Sequence, residues 1–127
     1  MKHLFVNYEL AKKAKHAGFD EPCLAMYHSA LDKQGHEIIM LVREAKDVYQ
    51  EKYHGQVCSA PLYHQLVDWF RNKYCLYIEV HCCNTKRPDN NWQGEINRLN
   101  DKKFGHFGYK NCYEALTKAL EESFKFI

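Results

Sequence analysis

The chain has no apolar run that approaches the length of a membrane-spanning helix. Its opening residues, MKHLFVNYELAKKAK, also lack the long apolar segment of a signal peptide. From these absences we expect a cytoplasmic protein with no membrane partner. In a reducing compartment, the six cysteines are then expected to remain thiols.

Motifs typical of catalytic nucleophiles and of phosphate-binding loops are also missing. There is no nucleophile elbow of the form GxSxG, and the GHFG segment at 105–108 lacks the GxGxxG or GK[ST] form of a phosphate loop. Nucleophilic catalysis needs a thiol or hydroxyl beside a base, and no such pairing is marked in the sequence. We therefore expect no catalytic residues and no cofactor, and we predict that the chain is not an enzyme.

A metal site is not marked either, because the chain has no CxxC or HxxxH pair. His81 and Cys83 fall on one face of a predicted strand, with Cys75 further along and His106 in a nearby predicted loop. Free cysteine is among the residue types that are most often buried, so these thiols are simply explained as packing groups. We predict no metal, and leave open whether the face of Cys75, His81 and Cys83 binds one.

Composition favours a folded domain with little net charge. The chain has 127 residues, is 46% hydrophobic and 14% aromatic, and carries a formal charge of +2. This length predicts a single domain over residues 1–127, and the apolar content argues against disorder. A dedicated nucleic-acid-binding protein is usually more basic than this chain.

The stretch 59–83 organises the rest of the chain, and its first part has the pattern of a helix. Ser59 is predicted to cap this helix, and Pro61 suits its first turn, where a missing N–H costs nothing. Apolar residues then recur at helical spacing: Leu62, Leu66, Val67, Trp69 and Phe70. Trp69 is expected to lie in the core.

The second part of this stretch changes to a period of two, which predicts a half-buried strand. Its inward face is predicted to hold Leu76, Ile78, Val80 and Cys82. Its outward face is predicted to hold Cys75, Tyr77, Glu79, His81 and Cys83.

The flanking segments complete an αββαββα order. A helix over 8–17 is predicted to begin at Asn7 and to stop at Gly18, and strands over 23–29 and 36–43 form a hairpin. Residues 92–99 are the predicted return strand of a second hairpin, with a bulge or a close backbone approach at Gly94. Residues 44–57 are a connector whose helical state stays open, and 101–109 is a predicted loop.

The chain is predicted to end in a helix that begins at Asn111, with Glu114 three residues later as in a capping box. The predicted fold is therefore α+β, with two antiparallel β-hairpins that form a sheet and helices packed on it.

Two segments resemble small proteins of gut Bacteroidales and their prophages. APLYHQLVDWFRNKYCLYIEV resembles a segment of the form APxxxxxxDWxRxxxxxxIxV in those proteins, and YKNCYEALTKALEESFKFI resembles their closing YxxYxEAxxxALxxAL helix. The opening helix followed by GFDEPC also fits. The resemblance implies a short cytosolic protein of phage or mobile-element type. That family is uncharacterised, so the resemblance supplies no catalytic residues.

Two classes of function remain, nucleic-acid binding and protein–protein binding. Cations and aromatic residues cluster at or near the second hairpin, and these are the ingredients of single-strand nucleic-acid binding. With the outward strand face they make a possible binding surface of Tyr77, His81, Lys86, Arg87, Trp92, Arg98, Lys102, Lys103, Phe104 and Phe107. The near-neutral charge, with Asp89, Glu95 and Asp101 in the same region, argues against nucleic acid.

The leading hypothesis is therefore a small non-enzymatic accessory protein that acts through protein–protein contacts. Its partner is an unknown protein or a second copy, which could pair through the sheet face or edge. The high aromatic content supports this class, because aromatic residues are enriched at interface centres. The carboxylates of Glu79 and Glu95, on neighbouring predicted strands, are expected to face Lys or Arg on the solvent side.

Overall fold

The computed structural model describes residues 2–31, 37–41, 58–82, 91–98 and 104–127. The α+β class and the αββαββα order are confirmed, and two further strands are added to that order. The chain divides into two compact units, Met1–Tyr63 and His64–Ile127. A single domain over residues 1–127 stays a prediction, and the connector at 44–57 lies outside the described residues.

The first helix, α1 (Tyr8–His16), confirms the prediction at both ends. The Leu10 N–H donates to the side-chain oxygen of Asn7 at 2.8 Å, which caps the first turn. Gly18 follows the helix with φ 95°, and its N–H and that of the next residue donate to carbonyls of the last turn. This is the Schellman arrangement, and it needs the left-handed conformation that glycine tolerates.

Three antiparallel strands form the first sheet, in the order β2-β1-β3. They are β1 (Ala25–Leu31), β2 (Glu37–Leu41) and β3 (Cys58–Ala60). The β1–β2 hairpin is confirmed, with a register shift between residues 28 and 31.

The third strand corrects the prediction that Ser59 caps a helix. Ser59 lies in β3 and pairs with Met26 of β1. Pro61 is also outside the helix, and its carbonyl accepts a hydrogen bond from the Val6 N–H at 3.0 Å. The local capping signal was overridden by strand pairing with residues more than thirty positions away.

The core of the first unit lies between α1 and this sheet. Leu10, Ala11 and Ala14 of α1 are buried, and α1 packs on β3. The Tyr27 hydroxyl donates to the Val6 carbonyl at 2.5 Å inside this core. The buried aromatic ring therefore has its polar end satisfied.

The second unit contains all of α2 (Tyr63–Tyr74) except its first residue, and Leu66, Trp69 and Phe70 of this helix are buried. The core position of Trp69 is thus confirmed. Cys75 follows the helix with φ 55°, and its N–H donates to the carbonyl of Arg71 at 3.1 Å. Cys75 therefore forms the left-handed end of α2 and is not on the outward strand face, which corrects the prediction.

The second sheet has the order β4-β5-β6, with both pairs antiparallel. Its strands are β4 (Leu76–Cys82), β5 (Trp92–Arg98) and β6 (Phe104–Tyr109). The predicted loop at 101–109 is wrong for residues 104–109, which pair with β5. The glycines there suggested a loop, but the backbone hydrogen bonds of β5 favour a third strand. The hairpins predicted to share one sheet lie in two separate sheets.

The last helix, α3 (Cys112–Ser123), packs on the second sheet and begins at Asn111, as predicted. The Glu114 N–H donates to the Asn111 side chain at 2.9 Å. Gly94 meets both predictions made for it, because the β5–β6 register shifts beside it and α3 approaches it closely. None of the helices in the described part of the chain is long and apolar enough to cross a membrane.

Candidate functional site

The two faces of the β4–β5 pair differ in how deeply their residues are buried. Residues such as Leu76, Ile78 and Ile96 lie on one face and are buried, as is Gly94 beneath α3. We name the other face the polar face; it holds Tyr77, Glu79 and His81 of β4 and Gln93, Glu95 and Asn97 of β5. Glu79 and His81 are exposed and the other four are half-buried.

Three side chains of the polar face converge on one point. Glu79 and Glu95 are directly opposite each other in the β4–β5 register. His81 Nε2 lies 3.0 Å from Glu95 Oε2 and 3.4 Å from Glu79 Oε2. One ligand atom from each residue lies within 4.8 Å of the other two. We name Glu79, His81 and Glu95 the carboxylate–imidazole cluster.

The cluster corrects one expectation from the sequence. Glu79 and Glu95 were expected to face Lys or Arg, but the partner of both carboxylates in the described part of the chain is His81. Like charges directly opposite on paired strands are destabilising, so a single imidazole bridges an otherwise unfavourable pair. The feature of the sequence that could have indicated this cluster is the spacing of Glu79 and His81, two residues apart on β4, with Glu95 on the predicted return strand.

The polar face also holds a side-chain oxygen that could accept a hydrogen bond but has no donor among the described residues. Asn97 Oδ1 is buried and accepts no hydrogen bond from the described residues. Leaving a buried polar atom unpaired costs about 1–3 kcal/mol. Asn97 lies one position beyond Glu95 along the same face of β5.

The structure separates the described members of the predicted binding surface. Tyr77 and His81 lie on the polar face. Trp92 and Arg98 lie on the opposite face of the sheet, since they are opposite Cys82 and Leu76 in the register. The Arg98 guanidinium donates to the Phe126 carbonyl at 2.6 Å, so this cation is engaged within the unit.

The remaining members are only partly described. Lys86, Arg87, Lys102 and Lys103 lie outside the described residues, as does Cys83. Phe104 and Phe107 lie on β6, and only their backbone is described. His106 lies on β6, where its backbone pairs with that of Gly94.

The edge of this sheet is formed by β4. Among the described strands β4 pairs only with β5. An edge strand presents unpaired N–H and C=O groups that can pair with another chain. On β4 the exposed Glu79 and His81 flank Val80.

Aromatic side chains lie mostly in half-buried positions. Tyr8, Tyr63, Tyr77 and Trp92 are half-buried, whereas Tyr49 and Tyr53 lie outside the described residues. A half-buried tyrosine packs its ring and keeps its hydroxyl near water. Among the aromatic residues whose burial the structure describes, Tyr113 is the one that is exposed.

The cysteines in the described residues are free thiols. Cys23 and Cys58 are buried, Cys112 is half-buried, and Cys75 and Cys82 are exposed. Burial raises the pKa of the Cys58 thiol above its usual value, although the positive charges of Lys15 and Lys12 act in the opposite direction.

Comparison with protein-family models, with curated proteins and with solved structures finds no match to this chain. The likeness to proteins of Bacteroidales and their prophages therefore stays a prediction from the sequence.

Proposed function

We propose that the chain is a non-enzymatic cytoplasmic binding protein that acts through protein–protein contacts, and that its partner is a second copy paired along β4. The observation that supports this proposal is the edge position of β4, on which Glu79 and His81 are exposed two residues apart. Edge strands of this kind are templates for strand addition.

The charge pattern of β4 is complementary to itself in one antiparallel register. When a twofold axis passes through Val80, Glu79 is opposite His81 of the partner subunit, and the same pair recurs on the other side of the axis. A carboxylate directly across from an imidazole can form a hydrogen bond with it, and cross-strand pairs of polar side chains contribute about 0.2–1 kcal/mol each. The two polar faces would then join into one continuous face.

Other registers lack this match. An axis through Glu79 places two carboxylates directly opposite each other, and an axis through His81 does the same for two imidazoles. Two carboxylates at such positions repel each other, and two imidazoles leave each Glu79 without an imidazole partner across the strands, so the register centred on Val80 is favoured. A twofold interface is also the commonest symmetry of soluble homo-oligomers.

Two parts of the proposal rest on other grounds. The cytoplasmic location is supported by the free thiols of the described cysteines, since exposed thiols persist in reducing compartments. The assignment to accessory proteins of phage or mobile-element type rests on the sequence resemblance alone.

Nucleic-acid binding is less well supported than protein–protein binding, because Arg98 is engaged by the Phe126 carbonyl.

Sedimentation of the purified chain across a wide concentration range tests the proposal. We expect a concentration-dependent equilibrium between monomer and dimer. A single monomeric species at the highest concentration would contradict it.

Retention on nucleic acid at low salt tests the competing class. We expect no retention that depends on the basic residues near the second hairpin. Retention that is lost when Lys86, Arg87, Lys102 and Lys103 are made neutral would favour nucleic-acid binding instead.

A further inference from the structure

We propose that the carboxylate–imidazole cluster binds a divalent metal cation, with Glu79, His81 and Glu95 as its protein ligands. This proposal goes beyond the proposed dimer and does not depend on it, because the cluster is complete within one chain. One ligand atom from each of the three residues lies within 4.8 Å of the other two, so one ion can contact all three.

The donor set indicates the class of metal. Carboxylate oxygens suit Mg²⁺, Ca²⁺ and Mn²⁺, whereas imidazole suits the transition metals. Two carboxylates with one imidazole therefore favour a transition metal of oxygen-preferring character, such as Mn²⁺ or Fe²⁺. Because Glu79 and His81 are exposed, water can complete the coordination sphere.

The charge environment distinguishes this cluster from the other acidic residues. Four other carboxylates in the described residues each pair with a cationic side chain three positions away: Glu9 with Lys12, Asp68 with Arg71, Glu121 with Lys118, and Glu122 with Lys125. Glu79 and Glu95 are directly opposite each other and share only His81 in the described chain. A divalent cation would offset the repulsion between them.

The unused acceptor of Asn97 is an independent observation on the same face. Its side-chain oxygen is buried and accepts no hydrogen bond from the described residues. Water bound to a metal ion is a hydrogen-bond donor, and Asn97 follows Glu95 on the polar face. A hydrated cation at the cluster would supply the kind of donor that this oxygen lacks.

The strands hold the ligands in place before any ion arrives. Glu79 and His81 are alternate residues of β4, and Glu95 lies on the neighbouring β5 within a regular antiparallel register. Sites built on strands are more precise than sites built on loops, because the backbone fixes where each side chain begins. Binding therefore requires little rearrangement.

The test is titration with Mn²⁺, followed by the loss of the electron paramagnetic resonance signal of the free ion, with the full chain kept reduced. Mn²⁺ is chosen because cysteine thiolates prefer softer metals, so the free cysteines do not compete. We expect a single bound ion per chain. Replacement of a ligand, as in Glu95→Gln or His81→Ala, should weaken binding by about tenfold or more.

Two variants serve as controls. Glu122→Gln removes a carboxylate of α3 that pairs with Lys125, and it should bind Mn²⁺ as the native chain does. Glu95→Gln should leave the dimer intact, because Glu95 is on β5 and the change keeps both residues of the proposed contact between copies, Glu79 and His81. Loss of Mn²⁺ binding with an intact dimer thus separates this proposal from the proposed function.

Absence of Mn²⁺ binding by the native chain would overturn the proposal. Binding that is equally strong in Glu95→Gln and His81→Ala would also overturn it, since the ion would then lie elsewhere. Circular dichroism of each variant establishes that the fold is retained, and the conservative Glu95→Gln change keeps the shape of the side chain.

Discussion

Gly94 is the residue at which the backbone of α3 rests on β5. A Cβ at this position would lie 2.7 Å from the Ala115 carbonyl oxygen and 3.0 Å from the Ala119 Cβ. The first of these atoms belongs to the helix backbone and cannot turn away as a side chain can. Only glycine allows this approach without a shift of α3.

We therefore predict that Gly94→Ala destabilises the protein by about 1–3 kcal/mol, because the helix must move away from the sheet. Denaturant unfolding measures the change. Asn72→Ala is the control, since Asn72 is exposed on α2 and its replacement should change stability by less than about 0.5 kcal/mol. Equal unfolding free energies for Gly94→Ala and the native chain would contradict the packing of α3 on β5.

Cys58 is a buried thiol whose ionisation is opposed by its surroundings. Desolvation raises its pKa in the folded state, and the positive charges of Lys15 and Lys12 offset this only in part. A group whose folded pKa is raised contributes stability that is fully present below its unfolded pKa and is lost as pH rises through the folded pKa. The loss should begin above about pH 8.5, the usual value for cysteine.

We predict that the unfolding free energy falls more steeply above this pH in the native chain than in Cys58→Ala. Unfolding curves of both proteins over a series of alkaline pH values measure the difference. The comparison uses the slope with pH, so a constant loss of stability from the smaller side chain does not affect it. Parallel slopes would contradict the burial of this thiol.

Single residues with a local conformational role were the most predictable feature of the sequence. The cap at Asn7, the stop at Gly18 and the close approach at Gly94 all follow from local chemistry, and the structure contains each of them. Ser59 was assigned to the wrong role because its strand partner Met26 lies far away in sequence.

At the scale of the elements, the helices were predictable because their ends carry local signals. Both Asn7 and Asn111 accept a hydrogen bond from the N–H three residues later. The strand β3 was missed because it has only three residues and pairs with a strand more than thirty positions away, and β6 was missed because its two glycines suggested a loop. Neither shows a period-two pattern long enough to stand out.

We predict that Asn7→Ala destabilises the protein by about 1 kcal/mol, because the Leu10 N–H loses its acceptor. Thermal or denaturant unfolding measures this change. Asn7→Asp keeps an acceptor oxygen at the same position and should remain near native stability. A loss as large in Asn7→Asp as in Asn7→Ala would show that the cap is not the cause.

At the scale of the whole molecule, the sequence located the candidate site in part. The outward face of β4 was predicted with Tyr77 and His81 on it, and the structure places both there. The separation of Trp92 and Arg98 onto the opposite face depends on the β4–β5 register, which the sequence did not specify. The convergence of Glu79, His81 and Glu95 depends on the same register.

The polar pattern at the edge of the sheet follows from the sequence of β4, in which Glu79 and His81 are two residues apart. The exposed Glu79 and His81 can each meet the other residue of a second copy when the axis passes through Val80. Glu79→Lys or His81→Glu alone should break the pairing, and the two changes together should restore a complementary pair. That restoration is specific to a contact between these two positions.

Sedimentation equilibrium of Glu79→Lys, His81→Glu and the double variant is therefore the most direct measurement. Glu79→Lys removes the carboxylate that faces the imidazole, and His81→Glu places two carboxylates opposite each other across the β4 pair, so each single change should raise the dimer dissociation constant by about tenfold or more. The double variant again places opposite charges across the pair, with their positions exchanged, and should return the constant close to the native value. If the native chain does not dimerise, or if the double variant remains as monomeric as the single ones, the β4 interface is contradicted.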